Sequence, residues 1–258
     1  MNVDVYSGFY GPQEMVWYCD AILKALGRTE DFTIKSDKFS LRSIGYEWTG
    51  MYAKDTCAIM RKQALTIHAS EIMEKLVENK KSCCAITSLE MTWLLREMFP
   101  SNYPRYSLAH IVAMDDAIKD ALRDHPQDIK RIVFLGPASV MRDGFYADNY
   151  PKAMFQEVAE VIDPGLDKND IATLDKILTT EACYGECSPE STKTLKRIVW
   201  KTASHIGEDP YCAIVLCDTG LSALGKGHNY INWASRNSGV PILDASQIYA
   251  EAIAGKIY

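Results

Sequence analysis

Three short stretches place residue types capable of chemistry where an apolar run gives way to a helical pattern. The first is Leu216-Cys217-Asp218-Thr219-Gly220-Leu221. A thiol at the end of a buried strand and ahead of a helix can be partly exposed and electropositive, which lowers its pKa towards a proton-exchanging thiolate. A single cysteine is more often inert core, the reading adopted for Cys19, Cys57 and Cys212, and position alone does not single out Cys217. The second stretch is Ala85-Ile86-Thr87-Ser88-Leu89. Its two hydroxyls suit helix capping, and with nearby amides they could also hold a carboxylate or an enediolate oxygen. The third is Gly8-Phe9-Tyr10-Gly11-Pro12. Its glycines permit a tight turn, Pro12 suits a first helical position, and exposed amides there could bind an anion. It is neither GxGxxG nor a Walker loop, and on spacing alone an ordinary β–α turn accounts for it.

Other reactive side chains give weaker patterns. His68, His110, His125 and His205 read as helix, strand or turn residues, and His228 in GKGHNY lies close enough in sequence to Cys217 for a Cys–His hydrolase, which nothing else supports. Cys183 and Cys187 in CYGEC have no second Cys/His pair at zinc spacing, so no metal is expected.

The elements that must carry these residues alternate along the chain. Buried strands are predicted at 3–6, 83–86, 108–112, 132–135, 213–216 and 241–243, where the residues are apolar or β-branched and bounded by polar or turn-forming neighbours. Amphipathic helices are predicted at 13–26, 54–78, 89–98, 115–122, 149–161, 170–179, 191–206 and 246–257. Such alternation predicts an α/β fold with mainly parallel sheets covered by helices. A weak internal echo, in which CCAITS and AIVLCDTG each lie between helices, suggests two related halves. Ligands in open α/β sheets sit at the carboxyl ends of strands, where both motifs fall.

The 258 residues suffice for one large domain or two lobes, and 47% hydrophobic residues can build a substantial core. A net charge of −6 argues against nucleic acid or an anionic membrane as main partner. No run approaches the ~20 apolar residues of a membrane span. The opening MNVDVYSGFYG lacks a basic n-region and a long apolar core, so no signal peptide is expected. Eight cysteines without small-scaffold spacing then read as reduced thiols in a cytoplasmic protein.

Taken in order, five segments resemble the aspartate/glutamate racemase superfamily. VYSGFYGPQEMVWYCDAI is similar to its opening strand and GGMGP turn, and CCAITSLEM to its first catalytic strand, usually containing CNT. IVFLGPASVMRDGFY resembles a mid-chain LLGT strand with a GFY-like triplet, and AIVLCDTGLSAL the second catalytic strand, usually GCTE. VPILDASQIYAEAI is similar to the terminal VPxIDTxxIHAxAA segment.

The resemblance implies two pseudo-symmetric lobes, 1–108 with 222–258 and 109–221, and an active site in the cleft between them. It implies proton removal and return at the carbon next to a carboxylate, without metal or organic cofactor, and a homodimer. In the family two cysteines flank that carbon. Here the first is replaced by Ile86, which cannot move a proton, and Cys84 lies ~6.6 Å further back on the same strand face. The PDRT-like segment with its substrate-binding arginine corresponds to SIGYEWT, which has none, although Arg42 is close by.

Cys217 is the catalytic thiol carried over. Thr87 and Ser88 fall where arylmalonate decarboxylase, in the same superfamily, holds its enediolate with a Thr-Ser pair, and Gly136 to Ser139 or Tyr146 would complete the oxyanion contacts. Gly8, Tyr10, Gly11 and Thr219 are the remaining expected substrate contacts. The expected activity is that of a single-cysteine isomerase, racemase or decarboxylase acting on a small amino acid or dicarboxylate. The alternative is a racemase-fold protein without turnover that binds a small carboxylate or a protein partner.

Overall fold

The computed structural model describes residues 2–6, 12–26, 39–42, 70, 82–87, 89, 92, 93, 95, 111–141, 150–182, 187–207, 209–222, 224 and 230–257. Contacts between Cα atoms divide the chain into two units, Met1–Ala117 with Tyr249–Tyr258, and Ile118–Ile248. Each contains a parallel sheet with four described strands.

The first unit carries β1 (Asn2–Tyr6), α1 (Pro12–Ala25), β2 (Phe39–Arg42), β3 (Ser82–Ile86) and β4 (Ile111–Val112). Its sheet runs β2-β1-β3-β4, with Val3 level with Phe39 on one side and Cys83 on the other. Helix α1 turns Tyr18 and Ile22 inward, four residues apart on one face and fully buried. Helix α2 (Met114–Arg123) spans the boundary between the units, with acidic Asp115 and Asp116 in its first turn and Arg123 in its last. That charge order matches the helix dipole.

The second unit contains β5 (Arg131–Leu135), α3 (Ala138–Met141), α4 (Tyr150–Phe155), β6 (Glu160–Val161), α5 (Lys168–Thr180), α6 (Pro189–Ile206), β7 (Cys212–Leu216), α7 (Thr219–Ser222), α8 (Tyr230–Ser238) and β8 (Ile242–Asp244). Helix α9 (Ala245–Ile257) begins there and ends in the first unit. The sheet order is β6-β5-β7-β8, the same pattern as in the first unit. Central β7 is buried along its whole length, with Ile214, Val215 and Leu216 fully enclosed. Each such side chain contributes about 1.5–3 kcal/mol relative to exposure.

Helix α6 shows why the local sequence folds as it does. Ser188 caps it by accepting from the Ser191 N–H at 3.1 Å, Pro189 occupies the first turn, and Gly207 ends it at φ +66°. Leu195, Ile198, Val199, Thr202 and Ala203 recur at helical spacing and form its buried stripe. Of these, Leu195, Ile198, Val199 and Ala203 join Leu174, Ile177 and Leu178 of α5 and Ile214 and Leu216 of β7 in one core cluster.

Several elements depart from the expected pattern. Residues 149–161 do not form one helix: α4 stops at Phe155, and Glu160 and Ile162 donate instead to the carbonyls of Lys130 and Ile132 as β6 joins the edge of the sheet. Edge pairing outweighs an amphipathic pattern that continues past Phe155 with no glycine or proline from Gln156 to Val161. Helix α8 was not expected; only Ile231 and Ala234 of its nine residues are buried, so its periodicity is faint. Strand β8 pairs in parallel with β7, and residues 222–248 fall in the second unit.

Candidate functional site

In a 2-1-3-4 strand order the chain leaves the first strand towards one edge of the sheet and the third towards the other, so the loops after these two strands part and leave a crevice at their carboxyl ends. In the second unit those strands are β5 and β7, paired from Arg131–Cys212 to Leu135–Leu216. The next residues are therefore Gly136 and Cys217, side by side. The Cys217 N–H donates to the Leu135 carbonyl at 2.7 Å and extends the ladder by one step. A Cβ on Gly136 would lie 3.3 Å from the Cys217 Cβ, so only glycine leaves the thiol its present room. The turn after Gly136 is tied down by Asp175 of α5, whose Oδ1 accepts from the Ala138 N–H at 2.9 Å.

The electrostatics of Cys217 correct one expectation. Its strand end was expected to be electropositive. Instead, burial first, then the carboxylates of Asp218 and Asp244, push the thiol well above its ordinary pKa. The residue is only part-buried, yet desolvation is still the largest cause. Its Sγ lies 3.8 Å from the Val215 carbonyl, to which the thiol hydrogen donates. Cys217 is thus a neutral thiol at physiological pH, suited to giving a proton rather than to taking one unaided.

Asp218 and Asp244 are held by main-chain donors. Asp218 is buried, and its Oδ1 accepts from the Gly220 N–H at 2.7 Å. Asp244 ends β8 level with Leu216, and its Oδ1 accepts from the Ser222 hydroxyl at 2.6 Å and the Ser246 and Gln247 N–H groups at 3.0 and 3.2 Å. Ser222 also lies 3.2 Å from the Asp218 carbonyl and joins the two loops. The sequence reading missed Asp244, Ser222 and Asp175. For Asp244 a signal existed, an aspartate directly before the last helical run, which marks an N-cap.

The other expected residues are distributed as follows. Thr219, part-buried, opens α7 next to Asp218. Ser139 belongs to α3, three residues after Gly136. Thr87 is buried directly after β3 in the first unit. Gly8, Tyr10, Gly11, Ser88 and Tyr146 lie outside the described residues.

Ile86, at the end of β3, is fully buried. Its N–H donates to the Tyr249 hydroxyl at 2.7 Å, and that hydroxyl in turn donates to the Val112 carbonyl. Tyr249 is fully buried against Tyr18, the ring centroids 6.0 Å apart in an edge-to-face arrangement. It braces the end of β3 just before Thr87. Among the described residues, no group of three His, Cys, Asp or Glu side chains could hold a metal ion, and no helix is long and apolar enough to cross a membrane.

No family model matches the sequence, and no curated protein matches it. Solved structures do. A candidate Asp/Glu racemase from Yersinia pestis matches over 100% of this chain and 99% of its own, with a TM-score of 0.64 and 18% identity. The chain has the fold of the aspartate/glutamate racemases. An aspartate racemase homologue from Pyrococcus horikoshii matches over the same shares, with a TM-score of 0.64 and 14% identity. At these identities the likeness is one of fold, and it agrees with the order of the five racemase-like segments.

Proposed function

We propose that this protein is a cofactor-independent enzyme of the racemase type that delivers a proton from Cys217 to the carbon next to a carboxylate. The observation that carries the reading is the Cys217 thiol beside Gly136 at the carboxyl end of β7, at the switch point of the second sheet, where burial and the Asp218 and Asp244 carboxylates favour its protonated form. When a bond at the substrate α-carbon breaks, its electron pair is left on that carbon and spreads into the adjoining carboxylate as an enediolate. Cys217 gives its proton to the carbon, becomes a thiolate and regains a proton from solvent. Thr87 and Ser88 are the proposed donors to the enediolate, with Ser139, Tyr146, Thr219 and the Gly8-Phe9-Tyr10-Gly11 amides as further contacts.

The buried Ile86 in place of a second thiol favours one-sided proton delivery. Loss of CO₂ from a substituted malonate meets that need, with the C–C bond pair left on the α-carbon and one proton returned. Racemisation of an amino acid would need another group to take the first proton. The reading includes a small carboxylate substrate, a cytoplasmic location and a homodimer.

Proton NMR in D₂O with substituted malonates and both enantiomers of Asp and Glu tests the proposal, with Cys217→Ser as control. The expected result is CO₂ release with one deuterium retained, or loss of an α-proton signal, reduced at least about a thousandfold in Cys217→Ser. Saturable binding of a carboxylate with no exchange or CO₂ release would instead favour a racemase-fold binding protein without turnover.

A further inference from the structure

Three large hydrophobic side chains are exposed among the described residues, and two of them, Trp200 at 37% and Trp233 at 49%, stand in one aromatic stack. Trp200 of α6 and Trp233 of α8 have ring centroids 5.3 Å apart, and Trp233 stacks on Tyr230 at 5.4 Å. The Tyr230 hydroxyl donates to the Lys196 carbonyl at 2.7 Å, which fixes α8 against α6, and the Lys196 Nζ sits 5.2 Å above the Tyr230 ring. Two large rings that a monomer could have covered are left in water as a continuous surface, the composition of a binding hot spot.

Charge identifies the occupant. The chain as a whole carries −6, yet the only carboxylate in α6 or α8 is Glu190, in the first turn of α6 and ~15 Å along the helix axis from Trp200. The same two helices carry Lys193, Lys196, Arg197, Lys201 and Arg236. Arg197 and Lys201 are committed to Asp170 and Asp167 of the α5 N-terminus. Lys193, Lys196 and Arg236 make no ion pair with any described residue. We infer that the outer face of α6 and α8 is a docking surface for an acidic protein segment, its apolar side chains on the Trp200–Trp233–Tyr230 stack and its carboxylates on Lys193 and Lys196. A second copy of this chain fits poorly, because a two-fold pairing would set the lysines against the same basic face. Three cations without an ion-pair partner among the described residues suit a short acidic stretch better than a nucleic-acid backbone, which the negative field of the chain repels.

Selection of a displayed library of random linear peptides on the full-length protein tests this. The expected outcome is enrichment of peptides that combine Asp or Glu with aromatic or aliphatic residues. Synthetic versions should bind at least about tenfold more weakly to Trp233→Ala and to Lys196→Glu, and more weakly still at high salt. Both positions are exposed or part-exposed, so the fold is retained, and thermal melting confirms it. Peptides without acidic enrichment, or binding that survives both substitutions, would overturn the inference. So would tighter binding of an oligouridylate to this face, or a dimer in sedimentation that Trp233→Ala dissociates. Activity in the NMR assay is expected to be unchanged in both variants, which keeps this test separate from that of Cys217.

Discussion

At the scale of single residues, the chemistry turns on how high the Cys217 thiol is held. Asp218 contributes by charge, and its Oδ1 also accepts from the Gly220 N–H, a bond that an asparagine oxygen would keep. Asp218→Asn is therefore expected to lower the thiol pKa and raise its thiolate fraction at neutral pH. The pH dependence of iodoacetamide labelling at Cys217 measures this; an unchanged profile would remove Asp218 from the electrostatics of the site. Gly136→Ala acts by volume. Its Cβ would press to 3.3 Å from the Cys217 Cβ, so labelling should slow and stability fall by about 1 kcal/mol, read from denaturant midpoints. The second effect could not be read from sequence: Gly136 and Cys217 are far apart in the chain and become neighbours only because β5 and β7 pair.

At the scale of elements, two buried tethers set the strand ends. The Tyr249 hydroxyl joins the Ile86 N–H and the Val112 carbonyl, and so links α9 to β3 and β4. Tyr249→Phe leaves both main-chain groups without that partner and should cost about 1–3 kcal/mol in thermal or denaturant unfolding. Asp175 holds the turn before α3 through the Ala138 N–H. Asp175→Ala is expected to cost about 1 kcal/mol and to alter Cys217 labelling, whereas Asp175→Asn, which keeps an acceptor oxygen, should restore most of both. Equal loss in the two variants would mean that charge rather than the hydrogen bond matters. Buried strands and well-capped helices such as α6 were legible, because a continuous apolar run or a Ser-Pro start with a regular stripe leaves few alternatives. Strands β2 and β6 were not, being four and two residues long and dependent on a partner strand.

At the scale of the whole molecule, acid stability is concentrated where α5 meets α6. The Asp170 N–H, Lys201 and the Asn169 N–H hold Asp167 down to about 2 from an ordinary 3.8, despite some desolvation. Lys201 and Arg197 lower Asp170, and the Ser188 N–H and Ser191 hydroxyl lower Glu181. Carboxyl groups depressed in the folded state add stability that is complete above their unfolded values and is lost as pH falls through the folded ones. Lys201 is raised, so its share is present below its unfolded value of 10.5 and is lost as pH rises through its folded pKa. Melting temperatures followed by circular dichroism should hold steady down to about pH 5 and drop between about pH 4 and 2. Asp170→Asn should flatten that drop. A decline that begins near neutrality would point to a different set of groups.

The sequence by itself determined the α/β class, the parallel strands, the switch from strand to helix at Ala85–Leu89 and Leu216–Leu221, and, through five ordered segments, the racemase fold. These are local properties, fixed by periodicity, capping and turn residues within a few positions of one another. Only the tertiary structure decided that Cys217 lies beside Gly136, that Asp218 and Asp244 raise rather than lower its pKa, and that Trp200 and Trp233 share one exposed stack. Asp218 adjoins Cys217, but every other pair here lies far apart in the chain. Whether a thiol is electropositive or electronegative depends on the carboxylates that strand pairing brings to it, and Asp244 reaches Cys217 only because β8 lies next to β7.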